Sequence, residues 1–190
     1  MTVESRNAKP TPALLIVDMF SRFDFPDAKA LEPSALSAAG AIAKLRERFH
    51  AADHPVIYAN DNFADWQMDF KELIGECLKA EGAPAAIARL LSPAPGDYFV
   101  LKPKHSAFLA TPLPILLAKL GCARLVVTGM AADSCIASTC YDSKAREYDT
   151  VVVPEAVAGV GAKKARALRL LEDSSTATVV SLKSMLARRL

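Results

Sequence analysis

The chain has 190 residues, of which 52% are hydrophobic and 23% charged, a balance that suits one globular domain and excludes any long disordered tract. Lys and Arg number 23 against 21 acids, and apart from Arg188-Arg189 the bases are scattered, so nothing marks a nucleic-acid-binding surface. No apolar run approaches the roughly 20 residues that span a bilayer, and Met1 to Thr11 carries no apolar stretch of the secretory kind, so no membrane partner and a cytoplasmic location are expected.

Residues 1–12 read as a flexible N-terminal segment ahead of one domain over 13–190. Ala13-Leu14-Leu15-Ile16-Val17 is a continuous apolar run closed by Asp18, as in a strand covered on both faces. Pro33 to His50 has helical rhythm, carrying Leu36, Ile42, Leu45 and Phe49 among alanines and charges. A second strand, Pro55 to Ala59, is broken by the turn-forming Asn60-Asp61-Asn62-Phe63.

Helical patches follow at Asp69 to Lys79 and Ala85 to Leu91, then Pro93, Pro95 and Gly96 end that section. Tyr98 to Leu101 is a third strand leading into Lys102-Pro103, and Pro112 to Leu120 a helix stopped by Gly121. The remainder alternates: strand Leu125 to Thr128, helix Ser134 to Arg146, strand Thr150 to Val153, helix Ala162 to Leu171, strand Ala177 to Val180. Such alternation predicts a three-layer α/β/α, doubly wound, Rossmann-like fold with about six mostly parallel strands.

The four cysteines, Cys77, Cys122, Cys135 and Cys140, include no CxxC pair and no neighbouring histidine cluster, so reduced thiols are expected in place of a zinc or disulfide framework. Cys77 and Cys122 read as packing residues. Cys140 stands about 140° around a helix from Cys135 and also reads as packed, not as a resolving thiol. Cys135 differs, because it follows a strand where a helix begins, and the helix dipole there is expected to lower a thiol pKa from about 8.5.

Ligands of open parallel sheets bind beyond the carboxyl ends of the strands. Asp18 closes the first strand, Lys102 the third, and Cys135 follows the fourth, so all three fall on one edge of the sheet. Taken singly, Asp18 could cap a turn, Lys102 could be a solvated loop residue and Cys135 a small buried one. Together they make chemical sense: a carboxylate can take a thiol proton and later return it, while an ammonium stabilises the thiolate.

The stretches Leu15-Ile16-Val17-Asp18-Met19, Leu101-Lys102-Pro103-Lys104-His105-Ser106-Ala107-Phe108 and Val127 to Ile136 resemble, in order and spacing, the isochorismatase-like family of cysteine hydrolases. The resemblance implies an Asp-Lys-Cys triad that cleaves a small non-peptide amide through a thioester, with Asp18 as general base and acid, Lys102 as electrostatic partner and Cys135 as nucleophile. Lys102, not Lys104, keeps the family's spacing to Ser106-Ala107-Phe108. The resemblance also implies a cis peptide between Met130 and Ala131 and an oxyanion hole made by the amides of Ala131 and Cys135.

Two departures narrow the substrate. Nicotinamidases of this family bind a metal through Asp and His; Asp61 is kept here, but Phe63 replaces the first His, and His50, His54 and His105 lie elsewhere, so no metal or other cofactor is expected. Isochorismatases that cleave a vinyl ether lack the cysteine that this chain has, which favours acyl chemistry on a C–N bond.

Phe20, Asn60 and Phe108 are the residues expected to bind substrate, chosen from strand-end candidates that include Phe23, Phe25, Asn62, Trp66 and Tyr141. Lys104, His105 and Arg22 near the mouth would tolerate an anionic substrate. Apart from the small-molecule amide, the expected partner is a second copy of the chain, as a homo-oligomer, dimer or tetramer. The competing function is a non-catalytic binding or thiol redox-sensing domain on the same fold. A phosphoacceptor reading of Asp18 is disfavoured, because Met19, Phe20 and Ser21 supply no acidic cluster for magnesium.

Overall fold

Side-chain alternation along the first strand, β1 (Thr11–Val17), sets the architecture: Leu14 and Ile16 enter one core, while Ala13, Leu15 and Val17 enter another on the opposite face. The computed structural model describes residues 11–63 and 65–187. Five further strands, β2 (Val56–Asn60), β3 (Tyr98–Leu101), β4 (Cys122–Gly129), β5 (Asp149–Val157) and β6 (Thr178–Val179), join β1 in one sheet. Its order is β3-β2-β1-β4-β5-β6 and every neighbouring pair is parallel, as the alternation of elements predicts.

Helices α1 (Ala28–Ala51), α2 (Phe70–Lys79), α3 (Ala83–Leu91) and α7 (Leu182–Ala187) cover one face of the sheet. Helices α4 (Leu113–Lys119), α5 (Ala137–Ala145) and α6 (Gly161–Asp173) cover the other. None of the helices among the described residues is long and apolar enough to cross a membrane.

Several boundaries differ from the sequence reading. β1 starts at Thr11, two residues early, and 1–10, the rest of the segment expected to be flexible, lies outside the described residues. Helix α1 begins at Ala28, so that Pro33 is inside it, exposed, where its missing N–H removes one helical hydrogen bond. Its buried stripe runs Leu31, Ala35, Ala38, Ile42, Leu45, Phe49, and Leu36, counted in the predicted stripe, is 42% exposed. Alanines on the inner face let the helix approach the sheet closely. α7 was not foreseen.

The sheet order reverses between β1 and β4, whose carboxyl ends splay the connecting chain apart. Gly129 ends β4 at φ +117°, and a Cβ there would collide with the backbone of Val17 on β1. Next along the chain, Met130 N–H donates to Val17 O at 3.0 Å, and Ala158 N–H donates to Gly129 O at 2.8 Å. This crossing point fixes the turn that carries Cys135.

Candidate active site

Three strand ends deliver the three residues named from the sequence. Asp18 leaves β1 with a left-handed φ of 51°, its N–H held by Ala59 O at 2.9 Å. Lys102 follows β3, its N–H donating to Asn60 O at 3.0 Å. Cys135 sits in a π-helical turn (Ala132–Ile136) that leads into α5, in place of the regular helix start expected there. The Met130–Ala131 peptide ahead of that turn is cis, as the family resemblance implied.

The three side chains meet. Lys102 Nζ lies 2.7 Å from Asp18 Oδ2, with the lysine side chain 1% and the aspartate 11% exposed. The same Nζ is 3.9 Å from Cys135 Sγ and donates to Lys104 O at 2.9 Å. Asp18 Oδ1 accepts the Asp61 N–H at 3.0 Å, while Oδ2 is in ion-pair contact with the Lys102 ammonium, and the carboxylate is within hydrogen-bonding reach of the Cys135 thiol.

Burial, the largest influence on both acids of the group, disfavours charge on each. It raises the Asp18 pKa, opposed by Lys102 and reinforced by Asp61. It pushes the Cys135 thiol up to about 12, with the Asp18 carboxylate adding to the rise and Lys102 opposing it. That direction is opposite to the lowering anticipated from a helix N-terminus, because burial and the adjacent carboxylate both disfavour the thiolate.

The triad forms part of the wall of a cavity of about 730 Å³. Phe20 contributes to its wall, although it is 1% exposed and packs mainly on Tyr58 and Phe70, with ring centroids 5.6 and 5.8 Å away. Asn60 and Phe108 do not line it, which corrects the expectation for both. The Asn60 amide is spent on backbone: Oδ1 accepts Phe20 N–H at 3.0 Å, and Nδ2 donates to Phe20 O at 2.9 Å and Asp61 O at 3.0 Å. Phe108 belongs to the core on the α4-α5-α6 face, against Tyr148 and beneath Arg146.

The segment Ser106-Ala107-Phe108 is an anchor for the loop that begins at Lys102. Ser106 Oγ accepts Phe108 N–H at 3.1 Å, and Ala107 N–H donates to Thr139 Oγ1 of α5 at 3.0 Å. Lys104 and His105 do face the cavity, as do Phe25, Asn62, Phe63 and Trp66. Arg22 does not: it pairs with Glu76 at 3.8 Å and stacks over the Phe63 ring. Cys77, Cys122 and Cys140 are buried and free, in keeping with their reading as packing residues.

Two neighbours of the sulfur had no catalytic role in the sequence reading, which placed Ser134 at a helix start and His105 only near the mouth. Ser134 Oγ is 3.8 Å and His105 Nδ1 3.9 Å from Cys135 Sγ, and these two atoms are 3.2 Å apart. The available signals were adjacency for Ser134 and, for His105, a place in the same loop as Lys102. Asp61 Oδ1 accepts Phe63 N–H at 2.9 Å, and among the described residues no three His, Cys, Asp or Glu side chains gather as metal ligands would.

This combination of an all-parallel doubly wound sheet with Asp, Lys and Cys at the strand ends defines a class, and comparison with known proteins agrees. The family model for the Isochorismatase domain matches residues 12–184. An uncharacterized isochorismatase family protein of Bacillus subtilis, YaaI, is 34% identical over 151 residues, covering 80% of this chain and 82% of its own. A maleamate amidohydrolase of Pseudomonas putida is 30% identical over 152 residues, 77% of this chain and 71% of that one. The crystal structure of N-carbamoylsarcosine amidase from Thermoplasma acidophilum superimposes with a TM-score of 0.71 at 28% identity, over 90% of this chain and 96% of that one. The chain belongs to the isochorismatase family.

Proposed function

We propose that this chain is a hydrolase of a small non-peptide amide, cleaving the C–N bond through an acyl-thioester on Cys135. One observation carries the reading: a buried Lys102 ammonium that touches both the Asp18 carboxylate, at 2.7 Å, and the Cys135 sulfur, at 3.9 Å, in the wall of a cavity large enough for a small molecule. The amidohydrolase and amidase among the similar proteins support the same bond type.

Because burial and the Asp18 carboxylate disfavour a free thiolate, the thiol proton passes to a group within the site as the attack begins. Asp18 takes it, and its own raised pKa narrows the gap between donor and acceptor. As the carboxylate becomes neutral and the sulfur anionic, Lys102 keeps one full charge beside the reacting pair.

The thiolate then attacks the carbonyl carbon, and the oxyanion is received by the backbone N–H groups of Ala131 and Cys135. The Ala131 amide has no acceptor among the described residues, which leaves it available. Protonated Asp18 passes its proton to the leaving nitrogen, which departs as ammonia or an amine. Water, losing a proton to Asp18, cleaves the thioester; the acid leaves and the proton returns to sulfur.

The test is ammonia or amine release from a panel of small amides, with intact mass measured during slow turnover. We expect an acyl adduct on the wild-type chain and none on Cys135→Ala. Turnover by Cys135→Ala at the wild-type rate would overturn the reading. Assembly into a homo-oligomer and a cytoplasmic setting belong to the same proposal; half-exposed Tyr141 and Leu170, around a hollow of about 250 Å³ against α6, support the first.

A further inference from the structure

Besides Lys102 Nζ, at 3.9 Å, Ser134 and His105 also come close to the Cys135 sulfur. His105 Nδ1 is 3.9 Å from Cys135 Sγ and 3.2 Å from Ser134 Oγ, while Ser134 Oγ is 3.8 Å from the sulfur, so the three polar atoms form a closed triangle. His105 is exposed, and nothing in the fold needs its ring as packing. Its position is held from below, by the Ser106-Ala107-Phe108 anchor to Thr139.

We propose that His105 is a catalytic residue of this site, acting in its protonated form as a second cation for the Cys135 thiolate. The inference rests on Cys135 as the nucleophile of the reaction above. Either ring form with a proton on Nδ1 can donate toward Ser134 Oγ and Sγ, but only the imidazolium also brings a positive charge beside the sulfur. In the acylation step the thiol proton still moves to Asp18. His105 keeps its own proton throughout, and the thiolate forms between two cations, Lys102 and His105, in place of one.

The ring has charged neighbours of both signs. Around the same cavity stand Asp18 and Asp24 from the β1–α1 connection, Asp61 from the end of β2, Lys102 and Lys104 from the ring's own loop, and Cys135 itself. Asp18 is already paired with Lys102 at 2.7 Å, while Asp24 and Asp61 form no ion pair among the described residues.

The experiment compares the rate of iodoacetamide modification of Cys135 in the wild-type chain and in His105→Gln, by intact mass, between about pH 5.5 and 8.5, a span centred near the imidazole range. The other three cysteines are buried, so one adduct reports Cys135. We expect the wild type to react about three- to tenfold faster below the imidazole range, the scale for one partly solvated cation near a thiolate, with the ratio falling to about one above it.

A ratio that does not change with pH, as a merely structural role for His105 would give, or one that grows with pH, as a neutral imidazole base would give, overturns the proposal. Because alkylation needs no amide, this outcome is separate from that of the hydrolase reading. Cys135→Ala that still turns over defeats the nucleophile; a flat ratio with a labelled Cys135 defeats His105 alone.

Discussion

At the scale of single residues, Lys102 holds the site together chemically. Replacing it by Met leaves the buried Asp18 without its cation, so we expect a loss of about 3–5 kcal/mol in denaturant unfolding as well as loss of turnover. Cys135→Ala behaves differently: turnover falls by at least about 10⁴-fold while the unfolding midpoint stays near wild type, since a half-buried thiol is exchanged for a smaller apolar group. The acid side of the pH profile reports Asp18. A protonated carboxylate cannot take the thiol proton, so kcat/KM falls as pH falls, and burial places the midpoint of that fall above the ordinary value of about 4. That Asp18, Lys102 and Cys135 fall on one edge of the sheet was legible because strand ends are legible; their roles as a triad were expected from the family resemblance. The direction of the Cys135 shift was not legible, because it depends first on how deeply the sulfur is buried and then on which charge packs against it, tertiary facts with no local signature.

Among the elements, the turn after β4 is the most constrained. Gly129→Ala places a methyl against the Val17 backbone at a φ that side chains avoid, and we expect destabilisation of about 2 kcal/mol or more with loss of turnover, measured by thermal unfolding alongside activity. The loop from Lys102 to Phe108 offers a second test. Phe108→Ala opens a space in the core on the far face and should cost about 3–5 kcal/mol. Substrate affinity is not its first casualty, because the ring does not reach the cavity. Strands β1 and β4 were readable as buried on both faces from unbroken apolar runs. The stripe of α1 was misjudged at Leu36, because alanines that pack closely carry less hydrophobic signal than a leucine that does not.

For the whole molecule, alternation of strand and helix gave away the layers and the parallel sheet but not the strand order. β1 pairs with β4 across a long stretch of intervening sequence, and no residue in either strand announces its partner. That order puts Asp18 and Cys135 on adjacent strand ends, with Lys102 two strands from Asp18, reaching it through its long side chain. Assembly is testable at this scale. Leu170→Asp, placing a charge beside the hollow around Tyr141, is expected to reduce the oligomer mass in light scattering if that hollow is the contact. The cavity mouth carries its own optical probe. Trp66, 76% exposed and lining the cavity, is the chain's sole tryptophan, so the emission of the unlabelled protein is that of one indole at the threshold of the site. An incoming molecule that displaces water from that indole should move the emission to shorter wavelength, and a titration followed at one wavelength would rank candidate amides by affinity before any of them is turned over.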